Sequence, residues 1–247
     1  MAGRARLIRD VQERAARALP AEHVEDADGW WLRHAPGCGW WVGTVLPHGD
    51  GDLAGRVAGA ESFHAARATV ARFQITPGAC PESLDAVLAA RGYRQQSPVS
   101  LQVAPTATVL DRLPAGALRV EVDDRPTAGW FGAWHAVHGG DPGAEWGLLE
   151  RVAGPSGYAR AMLGEDVVAV GRVVADTGWA GVFGMATLPA ARGRGAARAV
   201  LGALARWAAT DWMYLQVERD NIPALRLYER AGFTELCRYW YRARSRA

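Results

Sequence analysis

The chain is 247 residues long and contains no lysine, so all 28 basic side chains are arginine against 26 acidic ones, a net charge of +2. That length suits one large domain or two small ones. The near-neutral balance gives no argument for nucleic acid, and no apolar run approaches the roughly 18 residues of a membrane span. The opening segment MAGRARLIRDVQERAARALP lacks a signal peptide's apolar core and reads as an amphipathic helix. Residues 28–47, DGWWLRHAPGCGWWVGTVLP, alternate on either side of Pro-Gly signals, which predicts a hairpin. Neighbours on a strand face opposite ways, so one ring of each pair, Trp30–Trp31 and Trp40–Trp41, should enter the core. Residues 105–117, rich in Pro, Thr and Ala, read as a linker between domains at 1–104 and 118–247. Beyond it, residues 165–189 repeat the hairpin pattern, and Arg238, Arg242, Arg244 and Arg246 read as a solvated basic end. Cys38, Cys80 and Cys237 are isolated and odd in number, which argues against a disulfide framework and a metal cluster. A cytoplasmic protein without a metal is expected.

The two flanks of the linker repeat each other. Pro47 to Phe73 and Pro189 to Leu215 are both 26 positions. FQIT and LQVE stand at those points, each followed by a helix that ends in Gly-aromatic, ARGY and RAGF. Such spacing indicates duplicated units. Paired without gaps through the loop, Arg192, Arg194 and Gly195 fall on Asp50, Asp52 and Leu53; counted from the Gly-aromatic pair, Tyr228 falls on Leu88. The first half thus offers carboxylates where the second offers cations, and like charges repel an anion. It is either a scaffold or a wall of an acceptor pocket.

Thr187 to Ala197, TLPAARGRGAA, joins a β-branched and aromatic segment to a helical pattern of Val200, Leu201, Leu204, Trp207 and Ala208. A helix start has free N–H groups and the positive end of a dipole, and both favour an anion. Gly193 and Gly195 let the backbone approach it. A Walker loop needs a lysine, which this chain lacks. A dinucleotide fingerprint starting at Gly193 would end on Arg198 where glycine is required.

What matches in full is R-x-x-G-x-A at Arg192, Gly195 and Ala197, which resembles the pyrophosphate loop of the GNAT acetyltransferase superfamily. A second segment, LQVERDNIPALRLYERAGF at 215–233, resembles that family's strand, asparagine, tyrosine helix and Gly-Phe. The resemblance implies an α/β (α+β) fold: two GNAT-like units in tandem, each a mixed, mostly antiparallel sheet flanked by helices, the first degenerate. It implies an N-acetyltransferase that uses acetyl-CoA as co-substrate and a small-molecule amine as acceptor. A different acyl-CoA or carrier-bound donor, or a non-catalytic acyl-CoA sensor, are the alternatives; monomer or homodimer stays open.

Residue by residue, the resemblance assigns the cofactor's pyrophosphate to Arg192, Gly193, Arg194, Gly195, Ala196, Ala197 and Arg198. It assigns the pantetheine arm to the exposed edge at Met185, Ala186 and Thr187, with a backbone N–H near Met185 facing the thioester carbonyl. Tyr228 takes the place of the general acid beside the sulfur, and Asn221 contacts the cofactor arm. Asn221 also stands where a helix N-cap belongs, before Ile222-Pro223, and Gly232 where a left-handed C′ residue closes that helix. The base is open. Gln216 stands where several family members carry a glutamate and cannot accept a proton; Glu218, two residues on, shares its strand face. His135, His138, Asp141 and Glu145, in and before the Gly-rich stretch GGDPGAEWG, are further candidates on an acceptor-side loop.

Overall fold

The computed structural model describes residues 2–244; Arg246 lies outside them. The chain separates into two compact units, one of residues up to Ser100 together with those from Leu236 onward, the other Leu101–Glu235. Among the described residues no helix is long and apolar enough to cross a membrane.

The first unit begins with α1 (Ala2–Ala18), the expected amphipathic helix, which buries Ile8, Val11 and Ala15. A three-stranded sheet follows: β1 (His23–Ala27) pairs antiparallel with β2 (Trp30–His34), Ala27 facing Trp30, and β2 pairs antiparallel with Leu46–Pro47, Trp31 facing Leu46, so the predicted pairing forms with a short second strand and a further strand precedes it. The turn between β1 and β2 is Asp28-Gly29, with φ of 51° and 86°. Those two left-handed residues match the twist of a two-residue hairpin turn. The second tryptophan pair lies in turn structure, and β3 is reduced to Leu46–Pro47. Trp30 is fully buried and Trp31 half-buried; Trp40 meets Tyr241 edge-on at 4.8 Å, and Trp41 is exposed. Then come α2 (Leu53–Ala65), β4 (Arg72–Ile75), α3 (Leu84–Ala90) and β5 (Arg94–Pro105). Trp30, Phe73, Val57, Leu84, Leu88 and Tyr93 form this unit's core.

The second unit holds α4 (Thr106–Arg112), β6 (Val120–Asp123), α5 (Ala128–His138), α6 (Pro142–Glu150), β7 (Ser156–Leu163), β8 (Asp166–Asp176), β9 (Trp179–Thr187), α7 (Ala196–Ala208), β10 (Trp212–Glu218), α8 (Ile222–Ala231) and the start of β11 (Thr234–Ala243). Its sheet runs β5-β10-β9-β8-β7-β6, antiparallel from β6 to β9 and parallel between β9 and β10. Val168 to Val174 of β8 are all buried, so both faces of the sheet are covered. Helix α7 packs on β7 and β8, and α5 packs on β8 and β9.

Three expectations are corrected by the fold. The linker at 105–117 contains α4, with Thr106, Val109 and Leu113 buried and the Thr106 N–H donating to the Asp211 carbonyl at 2.9 Å. Pro105 and Pro114 flank the segment, and neither proline nor glycine interrupts it, so one short helix fits between them. The boundary between sequential halves is also crossed by two strands. β11, from the end of the chain, pairs with β4, Trp240 opposite Ile75, while β5, from the first half, neighbours β10. The basic end is therefore a strand and not a solvated tail. Arg242 donates twice to Asp85 at 2.8 Å, Trp240 Nε1 donates to the same carboxylate at 2.8 Å, and Arg244 Nε donates to the Arg91 carbonyl at 3.0 Å. The Arg242 hydrogen bonds hold the Asp85 carboxyl below the usual carboxylate range.

Candidate active site

Strands β9 and β10 are in register only from Trp179–Trp212 to Val182–Leu215. Past that point β9 continues to Thr187 and β10 to Glu218 without pairing, so the strands splay and leave edge groups of Phe183–Thr187 open. The cause lies on the other side of β9. Against β8 the register shifts between Val170, opposite Ala186, and Arg172, opposite Phe183. Gly184 and Met185 together face Gly171: a β-bulge, which bends the strand and re-aims its edge. Gly184 has φ 59°, and a Cβ there would come within 3.0 Å of Trp134 Nε1, so two independent constraints require glycine. At Gly171 a Cβ would occupy the space filled by the Met185 sulfur, Val200 and Leu204.

From Thr187 the chain makes a 3-10 turn at Pro189–Ala191 and enters α7 through Gly195, its N-cap. Gly193 has φ 75° and Gly195 φ 79°. An added Cβ at either would meet nothing within 4 Å. The glycines are thus needed for their left-handed backbone, and the space before the helix is open. No side chain caps α7, and its first intrahelical donor is the Ala199 N–H, to the Gly195 carbonyl at 3.0 Å. The N–H groups of Ala196, Ala197 and Arg198 precede it at the positive end of the dipole. Ala196 is buried and Ala197 half-buried. The three arginines behave differently. Arg192 Nε donates to the Thr187 carbonyl at 3.3 Å, and Arg198 Nη2 to the Arg112 carbonyl at 3.2 Å. Arg194 is exposed and makes no hydrogen bond or ion pair among the described residues.

Tyr228 lies on α8 with its ring buried, edge-on to Phe233 at 5.9 Å. It shares a core cluster with Ala191 and Ala196, and Met185 packs against the same cluster. Burial pushes its phenol up to about 12. Asn221 caps α8, its Oδ1 accepting from the Ala224 N–H at 3.2 Å, and Gly232 closes the helix at φ 97°. Glu218 is exposed at the end of β10 with no ion pair among the described residues, and Gln216 is half-buried.

The four acceptor-side candidates lie on two helices, since GGDPGAEWG is largely α6 and not a loop. Asp141 and Pro142 start it: the Asp141 carboxylate accepts from the Ala144 N–H at 2.8 Å. His135 bonds the Gly140 carbonyl at 3.1 Å, and Glu145 is buried beneath Gly140. His138 differs: it is exposed, and its ring is hydrogen-bonded to the backbone of Met185 on β9. Although part of the side chain is exposed, desolvation by the structure packed around the ring pulls its pKa below 6.5, and the Met185 bond acts against that pull.

An aromatic wall on α5 went unread in the sequence. Trp130, Trp134 and His138 recur every four residues: Trp130 stacks on Trp134 at 6.4 Å, and Trp134 meets His138 at 5.1 Å. Trp130 Nε1 donates to the Gly171 carbonyl at 3.0 Å, which ties the wall to the bulge. The spacing of one helical face was the available signal. Arg172 was also missed. It is buried beside Tyr158, with its guanidinium over Phe183 at 5.2 Å, and burial lowers its pKa.

In the first unit the corresponding helix start carries the opposite charge. Asp52 is the N-cap of α2, at φ −62°. Matching the helix starts pairs Asp52 with Gly195, one residue away from the gapless pairing that set Leu53 there.

Comparison with known proteins agrees with this geometry. Residues 120–233 match the acetyltransferase (GNAT) family. An uncharacterized N-acetyltransferase of Bacillus subtilis (strain 168), YobR, is 25% identical over 247 residues, covering 95% of this chain and 98% of its own. A GCN5-related N-acetyltransferase from Kribbella flavida shares the fold, with a TM-score of 0.73 at 16% identity over 98% of this chain and 96% of its own. A tandem GNAT protein from the clavulanic acid biosynthesis pathway superposes with a TM-score of 0.63 at 12% identity, over 87% of this chain and 77% of its own. With the splayed parallel pair, the bulge and the glycine loop, the family match makes residues 120–233 an acetyltransferase domain of the GNAT family.

Proposed function

We propose that the second unit transfers an acetyl group from acetyl-CoA to the amine of a small molecule, directly and within a ternary complex. One observation carries the reading: an unpaired strand edge, Phe183–Thr187, leads straight into an uncapped helix N-terminus with open space before it. A chain with a polar edge-pairing arm and a pyrophosphate fits that sequence of donors. The N–H groups of Ala196, Ala197 and Arg198 would hold the pyrophosphate, with Arg194 available for charge. The donor supplies an activated thioester. Met185, Ala186 and Thr187 would pair with its arm, and a backbone N–H at the bulge would polarise its carbonyl. Tyr228 would protonate the leaving thiolate; burial, which pushes the phenol up to about 12, keeps it protonated at neutral pH but makes it a weaker acid than a free phenol, so its donation draws on the charge that develops on the sulfur.

The first unit is read as a degenerate copy that binds no cofactor. The ends of α3 and α8 support this. Tyr93 N–H reaches the Leu88 carbonyl at 3.0 Å and Phe233 N–H the Tyr228 carbonyl at 2.9 Å, each across a left-handed glycine. A cytoplasmic setting goes with the reading, in which Cys38, Cys80 and Cys237 form no disulfide.

Calorimetric titration should give one acetyl-CoA per chain, and acetyl-CoA should release free thiol when a suitable primary amine is present. Two sites per chain would refute the degenerate-copy reading, and thiol release only from longer acyl donors would replace the acetyl group. Tyr228→Phe should lower turnover about 100-fold while acetyl-CoA affinity stays within about two-fold. Unchanged turnover would leave Tyr228 a packing residue.

A further inference from the structure

We propose that His138 is the proton acceptor for the attacking amine, an inference that rests on the acetyl-transfer reading. The sequence left the base open among several groups. The structure sorts them by what each is already doing. His135 bonds the Gly140 carbonyl in the turn after α5 and not the bulged strand, Asp141 caps α6, and Glu145 is buried under the glycine turn. Glu218 ends a different strand, whereas His138 packs on Trp134, the ring that lies against Gly184 of the bulge, with the Met185 backbone beside it. An exposed ring there is open to a small amine, and Trp134, at 5.1 Å from it, fixes its place.

The Met185 bond also sets which nitrogen is free. It raises the proton affinity of the ring, which is the effect of a ring N–H donating to a carbonyl oxygen. The second ring nitrogen then carries a lone pair. Among the titratable groups on the strands packed around α5, Tyr158 bonds Arg172, Arg160 on β7 bonds Asp123 and Glu121, Asp166 and Asp176 stand at the two ends of β8, and β9 carries none. No charged side chain is among the causes acting on His138, and the ring is neutral at pH 7. In the step, the amine nitrogen bonds the acetyl carbon and the carbon–sulfur bond breaks. The proton lost by nitrogen goes to His138, and the thiolate takes its proton from Tyr228. Solvent resets both side chains, so acetyl-CoA and amine become amide and CoA thiol.

The test uses the full chain, acetyl-CoA, and phenethylamine, tryptamine and spermidine as probe amines. In His138→Gln, the calorimetric affinity for acetyl-CoA should stay within about two-fold. Its kcat/KM at pH 7 should fall about 100-fold, and the acid limb of the pH profile should vanish. In His138→Ala, added imidazole should restore part of the rate, which a packing role would not allow. Independently of turnover, the 13C-histidine resonance of His138 should move when acetyl-CoA saturates the protein. An intact acid limb in His138→Gln, its loss in Glu218→Gln instead, or a His138 resonance indifferent to bound acetyl-CoA would each overturn the assignment. Failure of the wild-type protein to bind acetyl-CoA is a separate result: it would overturn the acetyl-transfer reading, and this assignment with it.

Discussion

Helices α2 and α7 are each 13 residues long, and each follows a strand and a glycine-bearing turn. Their starts differ in chemistry. Before α7 stand Gly193 and Gly195, both left-handed, with open space in front and Arg194 exposed. Before α2 stand Asp50, Gly51 and Asp52, and Arg56 is drawn back onto the Asp28 carbonyl at 2.9 Å. The Asp52 carboxylate makes no capping hydrogen bond, but its charge at the helix start lies at the positive end of the dipole and repels a second anion. Further along, the two regions agree again. α3 and α8 both end on a left-handed glycine, φ 82° at Gly92 and 97° at Gly232, with the same backbone closure. Only the side chain at the closure changes, from buried Leu88 to Tyr228. The backbone closure is the same in both regions, while the open glycine-led helix start is found in one. The scaffold depends on glycine and hydrogen-bond geometry; the site depends on a few side chains that cost the fold little to exchange.

The largest effect should come from separating the halves at the apparent linker. A fragment 105–247 lacks the β5 residues that neighbour β10 and leaves β11 without β4. It should aggregate or melt without cooperativity in circular dichroism and light scattering. A soluble fragment that melts sharply and binds acetyl-CoA as the whole chain does would break the strand-exchange account. Next in size is Gly195→Asp, which makes the α7 start resemble that of α2. Backbone strain at φ 79° and a negative charge beside the dipole should weaken acetyl-CoA binding by about 100-fold or more. Gly195→Ala, with strain but no charge, should lose less, and equal losses would remove charge from the comparison.

Acid should distinguish the units as well. His64, in α2, is buried, and burial, with His34 and Arg67, pulls its pKa from 6.5 to about 4. An unfolded chain takes up that proton as pH falls through 6.5, and the folded one does not until about 4. Stability should therefore fall across that window, by at most about 2–3 kcal/mol. Urea titrations from pH 7 to 4 should show the loss, flattened in His64→Gln; an unchanged slope in that variant would acquit His64. The smallest effect compares the two C′ glycines. Gly92→Ala meets nothing within 4 Å and should cost only the left-handed strain, about 1 kcal/mol. Gly232→Ala also drives a methyl toward Thr108 Cγ2 at 2.6 Å and should cost about 2–3 kcal/mol. Equal shifts in urea midpoint would mean that Thr108 yields freely.

The local features were legible because they are dictated over a few residues. The loop at 192–198, the Asn221 cap, the Gly232 closure, the 166–187 hairpin and the amphipathic first helix all follow from periodicity and turn chemistry. The 28–47 pairing formed between β2 and a two-residue β3, and the Asp28-Gly29 turn added a strand before it that the Pro-Gly signals did not indicate. The segment 105–117 was misread because composition was weighed above the helix that two flanking prolines permit.

The amino-acid sequence by itself determined the two motifs, the doubled pattern and the residues that can hold an anion, because each is encoded by neighbours in the chain. Only the tertiary structure decided the rest. The bulge at Gly184 arises from a register mismatch between β8 and β9, and register belongs to a pair of strands, not to one. The exchange of β5 and β11 depends on long-range pairing that leaves no mark at short spacing. His138 reaches Met185 because α5 packs on β9, which brings together residues 47 positions apart. A contact of that kind is set by the packing of whole elements, and no local pattern records it.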